Sequence, residues 1–173
     1  MGHARDGGED ARRSSCRVRA GAHRAIGHCR EEMTLKIKRV EHVAIAVDDM
    51  TKHKRLFEDL FGLSLELEEQ IDTTKLAMYP VGGTYLELLE TVEPESWLGG
   101  WLKDKGESLF HICFEVEDID EALQELKGKG VKLLNDEPII GHGGARIAFL
   151  DPGSTGNILY ELAELPTGNA GHS

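Results

Sequence analysis

From residue 38 the chain divides into stretches of clear periodicity. Residues 38–47 alternate apolar and polar side chains as a half-buried strand does. Asp48 and Asp49 then offer a helix N-cap, and Leu56, Phe57, Leu60 and Phe61 recur at i, i+1, i+4 and i+5, one apolar helix face that Gly62 is suited to end. Residues 63–69, 75–81 and 84–90 read as three strands, the last two joined at Gly82-Gly83. After them, residues 94–105 carry Trp97, Leu98, Trp101 and Leu102 at helical spacing, predicting a short connecting helix whose tryptophans pack on the sheet. The second half repeats the first. Residues 108–116 form a strand pattern, Asp118-Ile119-Asp120-Glu121 has capping-box spacing, and Ile119, Ala122, Leu123 and Leu126 share a helical face that Gly128 and Gly130 end. Residues 131–134, 145–150 and 158–163 supply three more strands. The predicted class is α+β, built from two βαβββ modules.

The repeat extends to individual side chains. Val40-Glu41-His42-Val43-Ala44-Ile45-Ala46-Val47-Asp48-Asp49 matches Leu109-Phe110-His111-Ile112-Cys113-Phe114-Glu115-Val116-Glu117-Asp118, each His standing seven residues before an Asp. Each half closes on a similar strand, Tyr85-Leu86-Glu87-Leu88-Leu89-Glu90 and Leu159-Tyr160-Glu161-Leu162-Ala163-Glu164. Two copies of one unit, each with one His and one Glu on strand sequence, can pool four donors on a pseudo-twofold axis. Two imidazoles and two carboxylates suit a divalent ion of intermediate softness: Co2+ first, with Mn2+, Ni2+, Zn2+ or Fe2+ also suited. Such an ion, with two positions left for water or a chelating substrate, acts as a Lewis acid.

Composition limits the partners. A net charge of -11 argues against nucleic acid, whose binding needs clustered cations, and it obliges any anionic ligand to find local positive charge. No apolar run is long enough to span a bilayer. Cys113 alternates with core positions and reads as a small buried residue. Residues 1–32 hold seven Arg and no Lys, so residues 1–34 are expected to be a disordered extension, or to lie upstream of a natural start at Met33. A transit peptide is the alternative, against which Asp6, Glu9, Asp10, Glu31 and Glu32 count; the expected location is the cytoplasm, or the mitochondrial matrix if that alternative holds. The catalytic domain is expected over residues 35–165, with module 1 at 37–91, a linker helix at 92–106 and module 2 at 107–165, followed by a disordered tail at 166–173. A homodimer is the assembly considered.

These residues resemble the vicinal oxygen chelate (glyoxalase/bleomycin resistance/dioxygenase) superfamily, and within it the methylmalonyl-CoA epimerase family, over about residues 37–165. The most specific stretches are Glu68-Glu69-Gln70, residues 109–116, and Asp136-Glu137-Pro138 leading through Gly141, Gly144 and residues 146–150 to Ser154-Thr155-Gly156 and Glu161. The resemblance implies a cupped mixed sheet of glyoxalase type, with metal ligands at His42, Glu87, His111 and Glu161. It also implies an acyl-CoA substrate whose C2 is inverted through a metal-stabilised enediolate between an acid and a base. Glu161 is a candidate for one proton carrier as well as a ligand. For the other, Lys75 is selected, because the neighbourhood beyond the Glu-Gln pair, where some epimerases carry a Glu, is here Thr73-Thr74-Lys75. Asp151-Pro152-Gly153 stands where epimerases commonly have His-Pro-Lys. The loop Gly141-His142-Gly143-Gly144 offers either backbone amides to an anionic group or a plain hairpin, with His142 expected on the surface. The alternatives weighed are a glyoxalase I-like lyase acting on a glutathione hemithioacetal and a non-catalytic small-molecule-binding member of the superfamily.

Overall fold

The computed structural model describes residues 35–167, so the readings of residues 1–34 and 168–173 lie outside the described residues. In chain order come β1 (Ile37–Ala46), α1 (Met50–Arg55), β2 (Leu67–Ile71), β3 (Thr74–Val81), β4 (Thr84–Thr91), α2 (Trp97–Lys105), β5 (Ser108–Val116), α3 (Ile119–Gly128), β6 (Ile139–Ile140), β7 (Arg146–Leu150) and β8 (Tyr160–Glu164). Helix α1 runs on into a wider turn at Leu56–Leu60, and Gly62 leaves it at φ 68°, a conformation that glycine adopts without steric cost. The two Asp residues of the repeat are its helix caps: Asp49 Oδ1 accepts from Lys52 N at 3.0 Å and Asp118 Oδ1 from Glu121 N at 2.9 Å.

All eight strands form one mixed sheet in the order β2-β3-β4-β1-β5-β8-β7-β6. The first and last strands of each module pair in parallel, β1 with β4 and β5 with β8, while β1 and β5 meet antiparallel at the centre. That arrangement is the pseudo-twofold axis expected from the repeat. Helices α1 and α3 cover the outer face: Met50 and Phe57 pack on Ala77, Tyr79 and Leu88, and Ile119, Leu123 and Leu126 pack on Ala148, Leu150 and Leu162. Helix α2 packs on the inner face, Leu98 lying among Leu76, Leu89 and Phe110. Its Gly99 fits against the chain that enters it, for a Cβ there would stand 2.2 Å from Pro94 O. The sheet curls until its two ends meet, Glu69 of β2 accepting at 3.2 Å from the amide of Gly143 in the loop before β7. Among the described residues, no helix is long and apolar enough to cross a membrane.

One predicted strand moves. Residues 131–134 bond alongside β7 only at isolated points, a bridge between Leu133 and Leu150 and Leu134 N on Phe149 O at 2.9 Å, and the paired strand is β6. The cause is local: Asn135 Oδ1 takes the Phe149 amide at 2.8 Å in place of a ladder carbonyl, and Pro138 has no N–H to give. The strand predicted at 63–69 likewise begins its ladder later, at Leu67.

Candidate metal centre

Strand register assembles the centre before any side-chain geometry is considered. In module 1 the residue two beyond His42, Ala44, lies opposite Glu87; in module 2 the residue two beyond His111, Cys113, lies opposite Glu161. Across the central pair, Ala44 faces His111 and His42 faces Cys113. Cross-strand partners share a face, so both His and both Glu point inward from four adjacent strands. Ala44 and Cys113, small and fully buried, leave room between them.

The four side chains converge, each 4 % exposed or less. His42 Nε2 lies 2.8 Å from His111 Nε2, 3.3 Å from Glu87 Oε2 and 3.7 Å from Glu161 Oε2. His111 Nε2 lies 2.7 Å from Glu161 Oε2 and 3.9 Å from Glu87 Oε2. Donors bonded to one ion at about 2.1 Å stand about 3 Å apart at a right angle and about 4 Å apart when opposite. His42, His111 and Glu161 lie close enough together that they could hold one metal ion, with Glu87 Oε2 beside His42, and such mixed nitrogen and oxygen donors suit a divalent ion of intermediate softness.

The four groups are also coupled by charge. Burial alone would favour neutral imidazole at His42, but Glu87 and its other neighbours outweigh that and raise its pKa well above the ordinary value. Burial would likewise raise Glu161, yet His111 and His42 hold its carboxyl well below the usual range. Burial and the nearby Glu161 push the Cys113 thiol upward, so it stays protonated and serves as a small core residue, as its position in the alternation suggested.

A pocket of about 350 Å³ opens over the four donors. Its walls include Leu76, Leu89, Trp97, Phe110, Ile140 and Phe149. Trp97 is half exposed at the mouth, in edge and tilted contact with Phe149 and Phe110, so it walls the pocket, contrary to the packing duty expected of it; Trp101 does pack, edge-on to Phe110.

Lys75 is not brought to this pocket, which corrects its selection as a proton carrier. It lies opposite Glu90 in the β3–β4 register, and its Nζ pairs with Glu90 Oε1 at 3.1 Å, while Glu90 Oε2 receives the Met50 amide of α1 at 2.6 Å. That is the outer face. The register puts Glu69 on the inner face, opposite Leu76 of the pocket wall, and Asp72 at the turn of the same hairpin lines the pocket itself. Counting by twos along the β2–β3 hairpin would have separated Lys75 from Glu69. His142, expected on the surface, is largely buried and lines the pocket, its ring 5.5 Å from that of His42. The glycine loop around it is a hairpin and not an anion cradle, because the amides of Gly141, Gly143 and Gly144 already bond Ala145 O, Glu69 Oε1 and Gly141 O.

Glu41 escaped the sequence reading. Strict alternation puts it on the face opposite His42, but β1 carries a bulge between Val40 and His42, and both side chains turn inward. Glu41 Oε2 pairs with His42 Nδ1.

The inward-facing quartet between paired modules on one curled sheet defines a class, and comparison with known proteins agrees with it. The sequence profile of the glyoxalase/bleomycin resistance protein/dioxygenase superfamily matches residues 41–149, and the chain belongs to that superfamily. Mitochondrial methylmalonyl-CoA epimerase of Mus musculus is 33 % identical over 132 residues, 75 % of this chain and 74 % of that protein. The ethylmalonyl-CoA/methylmalonyl-CoA epimerase of Cereibacter sphaeroides is 32 % identical over 133 residues, 75 % of this chain and 99 % of that one. Streptomyces coelicolor methylmalonyl-CoA epimerase in complex with 2-nitronate-propionyl-CoA superposes with a TM-score of 0.74 at 31 % identity, covering 76 % of this chain and 97 % of its own. Within the superfamily the chain is thus an isomerase of the epimerase type, akin to the methylmalonyl-CoA epimerases.

Proposed function

We propose that the chain is a metal-dependent epimerase that inverts C2 of methylmalonyl-CoA, or of a close 2-alkylmalonyl-CoA, through an enediolate. The observation that carries this reading is the matched register of the two modules, which gathers His42, Glu87, His111 and Glu161 at the floor of a pocket with one largely apolar wall. A bound divalent ion, Co2+ first among those suited to the donors, supplies the Lewis acidity that stabilises charge developing on the carbonyl oxygens.

The chain's own residues do the rest. Glu161, on the module 2 side, and Glu69, on β2 at the other end of the curled sheet, are the two proton carriers, one removing the C2 proton and the other returning a proton to the opposite face. Their placement in different halves of the curled sheet, β8 and the edge strand β2 whose Glu69 reaches the loop before β7, supports a two-sided transfer, which inversion requires. The apolar wall from Trp97 to Ile140 receives the thioester arm and keeps water from the deprotonated carbon. With a net charge of -11, the chain attracts an anionic thioester only once the buried carboxylates are offset by the cation.

Incubating Co2+-loaded protein with one epimer of methylmalonyl-CoA in heavy water, and following deuterium entry at C2, tests this reading. Exchange is expected with the loaded protein, loss of it after chelation, and recovery when Co2+ is returned. Exchange no faster than in the chelated control overturns the reading.

A further inference from the structure

The two imidazoles of the centre are not supported alike. Each central strand carries a bulge immediately before its His, so that the preceding residue also turns inward: Glu41 before His42 on β1 and Phe110 before His111 on β5. A bulge adds one residue to a strand and re-aims a side chain, and here the two modules use the same device for different side chains. On the module 2 side, His111 sits between the rings of Phe110 and Phe149 at centroid distances of 5.3 and 5.4 Å, and its Nδ1 has no hydrogen-bond partner among the described residues. On the module 1 side, Glu41, 2 % exposed, has one carboxylate oxygen on His42 Nδ1 and the other 3.5 Å from Arg39 Nη2. The Arg39 guanidinium is itself held, its Nε on Glu115 Oε2 at 2.7 Å and its Nη1 on Gly83 O at 2.6 Å. Glu41 is thus bonded to His42 at one oxygen, which also lies 3.7 Å from His142 Nε2, and is in ion-pair range of the anchored Arg39 at the other.

We propose that Glu41 is a positioning residue for the cation: it fixes His42 in the tautomer with hydrogen on Nδ1, so that the bare Nε2 faces Glu87, His111 and Glu161. This deepens the metal reading of the site and rests on it. A carboxylate on the distal nitrogen of an imidazole ligand sets the ring's tautomer and orientation and raises its basicity, and losing such a partner typically weakens metal binding by about 10- to 100-fold. Among the described residues, His111 has aromatic rings in place of such a carboxylate.

Four proteins and two measurements test this. Co2+ affinity is read by competition with a chromophoric chelator for the wild type, E41L and E41Q, with K75A as a control that removes a charge on the outer face, away from both imidazoles. The expected result is affinity lowered by about 10- to 100-fold in E41L, by less in E41Q, whose amide oxygen still accepts from Nδ1, and unchanged in K75A. Long-range proton–nitrogen NMR of the histidine rings in Co2+-free protein at alkaline pH reads the second quantity: His42 as the Nδ1–H tautomer in the wild type and a mixture of tautomers in E41L. Should E41L fail to fold, E41Q and the wild-type spectrum carry the test. Wild-type Co2+ affinity in folded E41L and E41Q, or wild-type His42 with its hydrogen on Nε2, overturns the inference. Wild-type protein that binds no Co2+ but keeps the Nδ1–H tautomer overturns the metal reading instead.

Discussion

Individual residues differ in how openly the sequence announces them. His42 and His111 are legible because the repeat aligns them and both lead by seven residues to a helix-capping Asp. Glu87 and Glu161 follow once the terminal strands are matched, since each lies opposite the residue two beyond its module's His. Lys75 and Glu69 illustrate the opposite case: they are six residues apart, and only a count through the hairpin tells which faces the cup. Substitutions separate their roles. E161Q and E69Q should each slow deuterium exchange at C2 by about 10²- to 10⁴-fold, the span of general acid–base catalysis. K75A, which removes only a half-exposed pair with Glu90, should leave exchange within about threefold of wild type and stability within about 1 kcal/mol. Exchange abolished in K75A and intact in E69Q would reverse the assignment.

At the level of elements, helices and central strands follow from periodicity, because an amphipathic face must be buried and its spacing says how. What periodicity leaves out is the irregular backbone. The bulges at Glu41 and Phe110 break the alternation that a strand reading assumes, and the edge near residues 131–140 is decided by Asn135 and Pro138 rather than by apolar pattern. The same bulged pair of strands makes an electrostatic contact between modules. Burial would raise the Glu115 carboxyl on β5, but Arg39 and Lys38 of β1 outweigh it and hold its pKa below the ordinary 4.5. A carboxylate whose pKa is depressed by folding stabilises the fold fully above its ordinary value and loses that contribution as pH falls through the lowered one. E115Q should therefore cost about 1 kcal/mol in urea unfolding at pH 7, and the gap to wild type should close progressively below about pH 4.5. A gap of equal size at pH 7 and pH 3 would mean that the charge is not what joins these strands.

Across the whole molecule, the organising fact is duplication. Neither module closes the candidate metal site, for each supplies one imidazole and one carboxylate; the antiparallel meeting of β1 with β5 brings the two pairs together. Helix α2, which belongs to neither repeat, packs on the inner face and contributes Trp97 and Leu98 to the wall of the pocket. The most direct test is anomalous diffraction at the cobalt edge from crystals of the Co2+-treated protein. One peak per chain is expected, within about 2.0–2.3 Å of His42 Nε2, His111 Nε2 and an oxygen each of Glu87 and Glu161. A peak bound by other residues, or none at full Co2+ loading, would contradict the account.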